Sequence, residues 1–294
     1  MSVVVVGAYT RDLFMYGPRL PLRGETVNCP DYAEADGGKA ANQAVAAARL
    51  GAKTWLITGL GADQAGQAAL ALFANEAVDI SYSRIDDAAH TGVGFIIVDH
   101  DGQQLITTYA GASAQLTVED IERARPLLGG ATALLLQGEI DAGVSLAAAR
   151  LAGQQTYVIL DPSPVEAFES VPSLTGVTIL TPNEPEAAVL TGLPSATAEQ
   201  VAAVTGVSTV MITRGGNGVE VFWQGKLHRV PAPRVAAVDT TGAGDAFNGA
   251  LAAGLDRGLD ILAAAHFACR CAAFSVARRF CIPSYATASD VSFE

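Results

Sequence analysis

The sequence predicts an α/β protein with a mostly parallel central sheet, because short apolar runs alternate with helical stretches along its 294 residues. Several of these runs contain adjacent apolar residues, which is typical of strands covered by helices on both faces. Two regions interrupt the alternation and predict a small additional β-structure. In such a fold, ligands bind beyond the carboxyl ends of the parallel strands.

The predicted strands and helices follow one another in the order that right-handed crossovers require. Strands are expected at residues 3–6, 54–58, 133–137, 157–160, 177–180 and 209–213. Helices are expected at residues 40–50, 65–75, 118–126, 144–152, 184–191 and 199–204.

Two regions outside this alternation predict antiparallel ribbon. Residues 27–33 and 92–110 have strand-like patterns, and the second region is predicted to fold back at His100-Asp101-Gly102, where Asp-Gly is a turn signal. A ribbon of this kind fits poorly into a parallel sheet, so we expect a small flap beside the main domain. A second hairpin, residues 218–223 and 226–230 joined at Gln224-Gly225, is expected at the sheet edge.

The composition predicts a soluble, cytoplasmic protein. Half of the residues are hydrophobic and 16% are charged, which excludes a disordered chain, and no apolar run reaches the roughly 18 residues of a membrane span. The amino-terminal residues lack the pattern of a signal peptide. A net charge of −12 without a basic stripe argues against a nucleic-acid partner. Four cysteines are too few for a disulfide framework, so reduced thiols are expected at Cys29, Cys269, Cys271 and Cys281.

The segment DTTGAGDAFNGAL at residues 239–251 is the most informative part of the chain. Gly242, Ala243 and Gly244 leave backbone N–H groups accessible, and Asp245 stands at the start of an apolar-periodic helix. Exposed amides at a helix N-terminus bind anions, and a neighbouring carboxylate can accept a proton. Phosphoryl transfer to a hydroxyl needs both an anion site and a proton acceptor. The Walker A, dinucleotide and protein-kinase signatures are absent from the sequence, so a nucleotide would bind on another scaffold.

A second segment, DGGKAAN at residues 36–42, predicts a site for sugar hydroxyls. Its two glycines allow a ligand to approach the backbone, and Lys39 and Asn42 lie about one helical turn apart. Asn42 can both donate and accept hydrogen bonds. The alternative is a glycine-rich turn between a strand and a helix, with a surface lysine. The four histidines lack metal-ligand spacing and are expected to be structural or exposed.

Together, GGKAANQAVAAARLGA at residues 37–52 and DTTGAGDAFNGAL resemble the two signatures of the ribokinase branch of the PfkB carbohydrate-kinase family. GETV (24–27), TGVGFIIVD (91–99), TPNEPEA (181–187) and TRGGNG (213–218) extend the resemblance over nearly the whole chain. It implies one domain over residues 1–294 with a three-layer α/β/α ribokinase-like fold. A β-lid would form from about residues 13–35 and 91–111 and close over the sugar.

The resemblance implies an ATP-dependent sugar kinase. Asp245 would be the catalytic base, and the backbone of Gly242, Ala243, Gly244 and Asp245 would form the anion hole. The sugar would be bound by Asp12, Gly38, Lys39, Asn42, Glu139 and Asp245. Glu139 also follows a predicted strand, which supports a ligand role independently. Asp12 by itself could equally be a turn or cap residue.

The family's nucleotide and Mg²⁺ residues also have counterparts here. Asn183 and Glu186 would act near Mg²⁺ through water, although Asn183 could also cap the helix that starts at Glu184. The nucleotide would contact Thr213, Gly215, Gly216, Gly218, Gly244 and Cys269.

The resemblance further implies a monovalent-cation site for potassium. Its ligands would be Asp239, Thr241, Ser275, Arg278, Phe280 and Ser284. Phe280 stands where related ribokinases usually have glycine. A carbonyl ligand survives this change unless the position needs a positive φ, which would strain a phenylalanine.

The acceptor is expected to be D-ribose, although one departure bears on this choice. Ribose-specific members tend to carry N-x-D near the first strand, whereas this chain has Thr10-Arg11-Asp12. Another pentose, a hexose or a nucleoside is the alternative acceptor, and a non-catalytic sugar or nucleotide sensor is the alternative of another class. Apolar residues of the ribbon, Phe95 to Val98, predict a homodimer formed through the lid.

Overall fold

A nine-stranded sheet forms the centre of the molecule in the computed structural model, which describes residues 2–101, 103–168 and 173–293. The strands from one edge to the other are β15 (Lys226–Val230), β14 (Val219–Trp223), β13 (Thr209–Thr213), β12 (Ile179–Leu180), β11 (Tyr157–Leu160), β10 (Ala133–Leu136), β1 (Val3–Val6), β4 (Thr54–Ile57) and β6 (Val78–Asp79). Neighbours from β13 to β6 pair in parallel, whereas β14 and β15 are antiparallel. The predicted hairpin at the sheet edge is therefore confirmed.

Helices cover both faces of this sheet. They are α1 (Lys39–Arg49), α2 (Gln64–Asn75), α3 (Val118–Arg123), α4 (Arg125–Gly130), α5 (Ala142–Leu151), α6 (Glu184–Thr191), α7 (Ala198–Thr205), α8 (Ala243–Asp256) and α9 (Ile261–Ser275). The alternation along β1 shows the two cores directly. Val3 and Val5 join the core with α1, α8 and α9, and Val4 and Val6 join the core with α3, α5 and α7. The α/β fold class is confirmed.

A separate four-stranded sheet, which we call the small sheet, contains β3 (Asp31–Gly37), β2 (Thr10–Tyr16), β8 (Gly92–Val98) and β9 (Gln104–Tyr109) in that order. β2 pairs with β3 in antiparallel register and with β8 in parallel register. A short pair of strands, β5 (Gly59–Gly61) and β7 (Arg84–Asp86), lies apart from both sheets.

Several predicted boundaries are wrong. The ribbon expected from residue 27 begins at Asp31, and β2 was not predicted as a strand. The helix expected over 118–126 is split at Ala124 into α3 and α4, because Pro126 lacks an N–H and its ring clashes with the preceding turn of a continuous helix. The strand expected at 177–180 comprises only Ile179–Leu180. β8 and β9 form a hairpin, but Gly102 of the predicted turn lies outside the described residues.

Two further sequence-based expectations concern cysteines and membranes. All four cysteines are free thiols, as predicted. Within the described ranges, no helix combines the length and the apolar character needed to cross a bilayer.

Candidate active site

The site lies where the carboxyl ends of the parallel strands meet the N-termini of α1 and α8. Glu139 and Asp161 follow β10 and β11 at this edge. The two helices approach closely, because Gly249 of α8 packs against α1 and a Cβ at this position would lie 2.6 Å from the Cβ of Ala46. The alanine-rich face of α1 therefore permits the contact that brings the two signature segments together.

Asp245 is held in the first turn of α8 by two amides from α1. The Nδ2 of Asn42 donates to its Oδ2 at 2.9 Å, and the Nε2 of Gln43 donates to its Oδ1 at 3.0 Å. Asp245 is only 4% exposed. The Oδ1 of Asn42 is buried and has no hydrogen-bond partner among the described residues, so it remains available to a ligand hydroxyl.

A partly buried charge cluster adjoins Asp245, with the side chain of Lys39 27% exposed and that of Asp161 7% exposed. The Nζ of Lys39 lies 3.6 Å from the Oδ2 of Asp161, and the backbone N–H of Lys39 donates to the Oε2 of Glu139 at 2.7 Å. Burial raises the pKa of Glu139 to about 7 and that of Asp161 to about 7, against the opposing charge of Lys39. Burial also lowers the pKa of Lys39, but the carboxylates around it outweigh this and hold that pKa above its ordinary value. The lysine is therefore charged at neutral pH.

The N-terminus of α8 presents backbone N–H groups for which the described part of the chain offers no acceptor. Gly242 precedes the helix with φ 74°, and a Cβ there would lie 2.6 Å from the Oη of Tyr285 and 2.8 Å from the Sγ of Cys281, so this turn requires glycine. Ala243 N–H donates to the carbonyl of Thr240, whereas the N–H groups of Gly244 and Asp245 have no acceptor within the described part of the chain. Such amides form an anion site.

Asp12 lies on β2 in a slot between Gly37 of β3 and Gly94 of β8, where a Cβ on either glycine would collide with its carboxylate. Burial raises the pKa of Asp12 to about 6, although the hydroxyl of Thr10 donates to its Oδ1 at 2.8 Å. Arg11 does not share this environment, because its guanidinium pairs with Glu34 and Asp36 on β3. Thr10 and Arg11 therefore occupy the N-x positions of the family pattern. The Arg11 side chain points to its acidic partners on β3 and does not enter the slot that holds Asp12.

Two cavities flank the turn that leads into α8. One, of about 750 Å³, is bordered by Asp12, Phe14, Asp239 and Phe280. The other, of about 500 Å³, is lined by predicted nucleotide residues, namely Thr213, Gly215, Gly216, Gly218, Gly244 and Cys269. Ala237 and Thr240 border both cavities. For the roles proposed below, we call them the acceptor cavity and the nucleotide cavity. Of the predicted sugar ligands, Asp12 lines the acceptor cavity, whereas its lining does not include Gly38, Lys39, Asn42, Glu139 and Asp245.

Asn183 and Glu186 form a capping box at the start of α6. Asn183 Oδ1 accepts from the N–H of Glu186, and Glu186 Oε2 accepts from the N–H of Asn183. The capping alternative is therefore realised. Asn183 also bridges to Thr213, beside the nucleotide cavity. Among the described residues, no group of three or more His, Cys, Asp or Glu side chains is arranged to hold a metal ion.

Asp239 joins the turn before α8 to the loop of residues 275–284. Its Oδ1 accepts from the N–H of Thr241 at 2.9 Å and its Oδ2 accepts from the N–H of Phe280 at 3.0 Å. Phe280 has φ 65°, the strained conformation that the sequence left in question. The other predicted cation ligands, Ser275, Arg278 and Ser284, make hydrogen bonds within their own loop region.

Gln43 and Asp161 were missed by the sequence reasoning. The Nε2 of Gln43 donates to both Asp245 and Asp161, so it connects the two carboxylates. Asp161 directly follows the predicted strand at 157–160, and this position is a usable signal for a ligand-binding residue. Gln43 offers only its position beside Asn42.

Comparison with known proteins agrees with this architecture. The model of the pfkB family carbohydrate kinases matches residues 1–288. A ribokinase from Haemophilus influenzae is 35% identical over 285 residues, covering 95% of this chain and 93% of that protein. A deoxyribokinase from Salmonella typhi is 32% identical over 292 residues, covering 97% and 95%.

Solved structures show the same fold. A ribokinase from Thermotoga maritima superposes with a TM-score of 0.90 at 31% identity, covering 99% of this chain and 98% of that chain. An Arabidopsis thaliana ribokinase complexed with ribose and ATP gives a TM-score of 0.83 at 30% identity, covering 98% and 96%. The chain therefore belongs to the pfkB carbohydrate-kinase family, in its ribokinase branch, and is a phosphotransferase that acts on an alcohol group.

Proposed function

We propose that this kinase transfers the γ-phosphoryl group of ATP to a terminal hydroxyl of D-ribose. One observation carries the proposal. Asp245 is a buried carboxylate, fixed by Asn42 and Gln43, in the same helical turn as backbone N–H groups without an acceptor among the described residues. A proton acceptor and an anion site are thus held within a few ångströms on one rigid element.

In this proposal Asp245 accepts the proton of the attacking hydroxyl. The backbone of Gly242, Ala243, Gly244 and Asp245 forms the anion hole for the charge that develops on the transferred group. Its available donors are Gly244 and Asp245, since the Ala243 N–H already donates to the carbonyl of Thr240. Lys39 lies in the same cluster and supplies a fixed positive charge. These groups are preorganised by α1 and α8, so they need little rearrangement during transfer.

The acceptor would occupy the space between the small sheet and α1. We propose that the carboxylates of Asp12 and Glu139, the amide of Asn42, the backbone of Gly38 and the side chain of Lys39 hold its hydroxyls. The buried Oδ1 of Asn42, which has no hydrogen-bond partner among the described residues, suits a hydroxyl donor. The small sheet would act as the lid that excludes water and limits hydrolysis of ATP.

ATP would lie in the nucleotide cavity. The open space beside Gly215, Gly216 and Gly244 would admit phosphate oxygens close to the backbone. Cys269 is buried in the cavity wall, where it would contact the nucleotide by packing. Mg²⁺ would be held near Asn183 and Glu186 through water, since their oxygens are already engaged in the capping box, and it would neutralise phosphate charge when bound.

Potassium would bind beside the turn before α8. The donor set fits a hard cation, since it combines the carboxylate of Asp239 with backbone carbonyls. The proposed carbonyl donors are Thr241, Ser275, Arg278, Phe280 and Ser284. Phe280 adopts the positive φ despite the strain, so its carbonyl keeps the orientation that a glycine would give. Thermal unfolding in KCl and NaCl of equal ionic strength would report binding independently of turnover.

A second acceptor class is 2-deoxyribose or a larger sugar. The Salmonella deoxyribokinase matches over nearly the whole chain, and Thr10 replaces the asparagine of the ribose-type pattern. The acceptor cavity of about 750 Å³ also offers room for a hexose or a nucleoside.

ADP release should be measured with ribose, 2-deoxyribose, hexoses and nucleosides, each with and without K⁺. We expect ribose to give the highest kcat/KM. A higher value with another acceptor would reassign the substrate. If no acceptor raised turnover above the background hydrolysis of ATP, a sugar- or nucleotide-binding sensor would replace the proposed kinase.

A further inference from the structure

Phe280 has a backbone conformation that its side chain disfavours. Its φ is 65°, in the left-handed region where a Cβ is strained. Ala77 and Gln224 share this sign of φ, but they lie just after the end of α2 and in the turn between β14 and β15. Phe280 lies instead beside the acceptor cavity. Strain of this kind persists where surrounding contacts hold it in place.

The ring of Phe280 is held by the small sheet. It meets the ring of Phe14 on β2 edge to face, with centroids 5.6 Å apart and planes at 74°. Phe14 in turn stacks on Tyr16 of the same strand at 6.4 Å. Phe14 is two residues from Asp12, so the contact is made by the strand that carries a proposed acceptor ligand.

The backbone of Phe280 is held by the turn that precedes α8. Its N–H donates to Asp239, whose second oxygen accepts from the N–H of Thr241. Thr241 immediately precedes Gly242 and the amides of α8. One residue thus connects β2, through its ring, with the turn before the anion site, through its N–H.

We propose that Phe280 is a positioning residue that couples the place of β2 to the geometry of the anion site. A glycine or asparagine would give the same backbone with less strain, so the ring is the feature that a phenylalanine adds here. The inference rests on the proposed function, because it assigns Asp12 to the acceptor and α8 to the transferred group. Binding of the acceptor under the small sheet then also sets the position of the backbone amides that bind the transferred phosphoryl group.

Two variants separate the ring from the strain. Phe280→Ala and Phe280→Gly both remove the ring, so each should lower kcat/KM for the acceptor by about tenfold, which corresponds to about 1.4 kcal/mol, with KM for ATP changed less than twofold. Phe280→Gly should melt at a higher temperature than Phe280→Ala, because glycine adopts the positive φ without strain. Phe280→Tyr keeps the ring and should therefore retain the kcat/KM of the parent chain.

The partner ring provides a second test. Phe14→Ala should reproduce the tenfold loss, and the Phe14→Ala/Phe280→Ala double variant should lose no more than either single variant. By amide hydrogen exchange, Phe14→Ala should speed exchange at residues 239–243, to which Phe280 links the ring of Phe14. The matched control is Phe293→Ala, which removes a stacked contact with Phe267 at 4.1 Å away from the acceptor cavity. This control should lower the melting temperature but leave kcat/KM for the acceptor and hydrogen exchange at residues 239–243 unchanged.

The inference is overturned if both Phe280 variants keep kcat/KM for the acceptor within twofold of the parent, or if exchange at residues 239–243 is unchanged in Phe14→Ala. Failure of the proposed function has a different signature, since the unsubstituted chain itself would then show no acceptor-dependent turnover. Hydrogen exchange would still test the coupling in that case.

Discussion

Asp245 is the residue on which the proposed transfer depends most directly. Its replacement in Asp245→Asn keeps the shape but removes the proton acceptor, so kcat should fall by about 10²–10⁴-fold. The fold should be retained, because the Asn42 amide, whose oxygen has no partner within the described ranges, can rotate so that this oxygen accepts from the new amide. Steady-state kinetics and the melting temperature would be compared. Asp256→Asn, at a 7% exposed position on the same helix, is the control and should keep normal kcat.

The raised pKa of Glu139 has a consequence for stability. Its value of about 7 in the folded chain exceeds the ordinary 4.5, so the folded state binds more protons than the unfolded state between these pH values. This carboxyl therefore contributes stability that is lost as pH rises from about 4.5 to 7. Glu139→Gln should show a smaller loss of unfolding free energy between pH 5 and 8 in urea titrations without ligands. An equal pH dependence of the unfolding free energy in the variant and the parent would contradict a raised pKa for Glu139.

At the scale of residues, the sequence predicted the two signature segments but missed Gln43 and Asp161. The hydrogen bond between them joins positions 118 residues apart, and that between Asn42 and Asp245 spans 203. Nothing local marks a glutamine as the bridge between two carboxylates. Its role depends on the packing of α1 against α8, which periodicity alone does not give.

At the scale of elements, the contact between α1 and α8 sets the geometry of the site. Gly249→Ala would place a Cβ 2.6 Å from both Ala46 Cβ and the carbonyl oxygen of Gln43. We expect a destabilisation of about 1–3 kcal/mol by overpacking, and a larger fractional loss of kcat because Asp245 moves away from its amide donors.

Chemical unfolding and kinetics would be measured for this variant beside Gly254→Ala. Gly254 lies on the same helix, but its nearest neighbour would be the Leu259 side chain at 3.3 Å, so this control should be nearly neutral. Equal effects of the two substitutions would show that the approach of α1 to Gly249 is unimportant.

The strands that were predicted correctly are those buried on both faces, such as β1 and β10, since every residue in them is apolar. β2 was missed because TRDLFMY places Arg11 and Asp12 side by side, and neighbouring residues of a strand point to opposite faces. One face carries Asp12 and Phe14 toward the acceptor cavity, and the other carries Arg11 to its acidic partners. A strand functional on both faces has neither a continuous apolar run nor a clean alternation.

At the scale of the whole molecule, the small sheet leaves apolar side chains exposed, including Tyr32, Phe95, Leu105 and Tyr109. We propose that a second copy of the chain covers this face in a homodimer. Phe95→Asp should therefore halve the mass measured by light scattering, because it places a charge in the interface. Leu227→Asp, on β15 and equally exposed at 43%, should leave the mass unchanged. A monomeric parent chain would refute the homodimer outright.

A single turn separates the two cavities, and two of its residues, Ala237 and Thr240, border both of them. A ligand in either cavity would lie against these same two residues, so ordering of the turn by one ligand would reduce the conformational entropy that the other loses on binding. Thermodynamic reciprocity then requires that each ligand change the affinity of the other by the same factor. Whatever factor the nucleotide contributes to the affinity of the sugar, the sugar contributes to the affinity of the nucleotide.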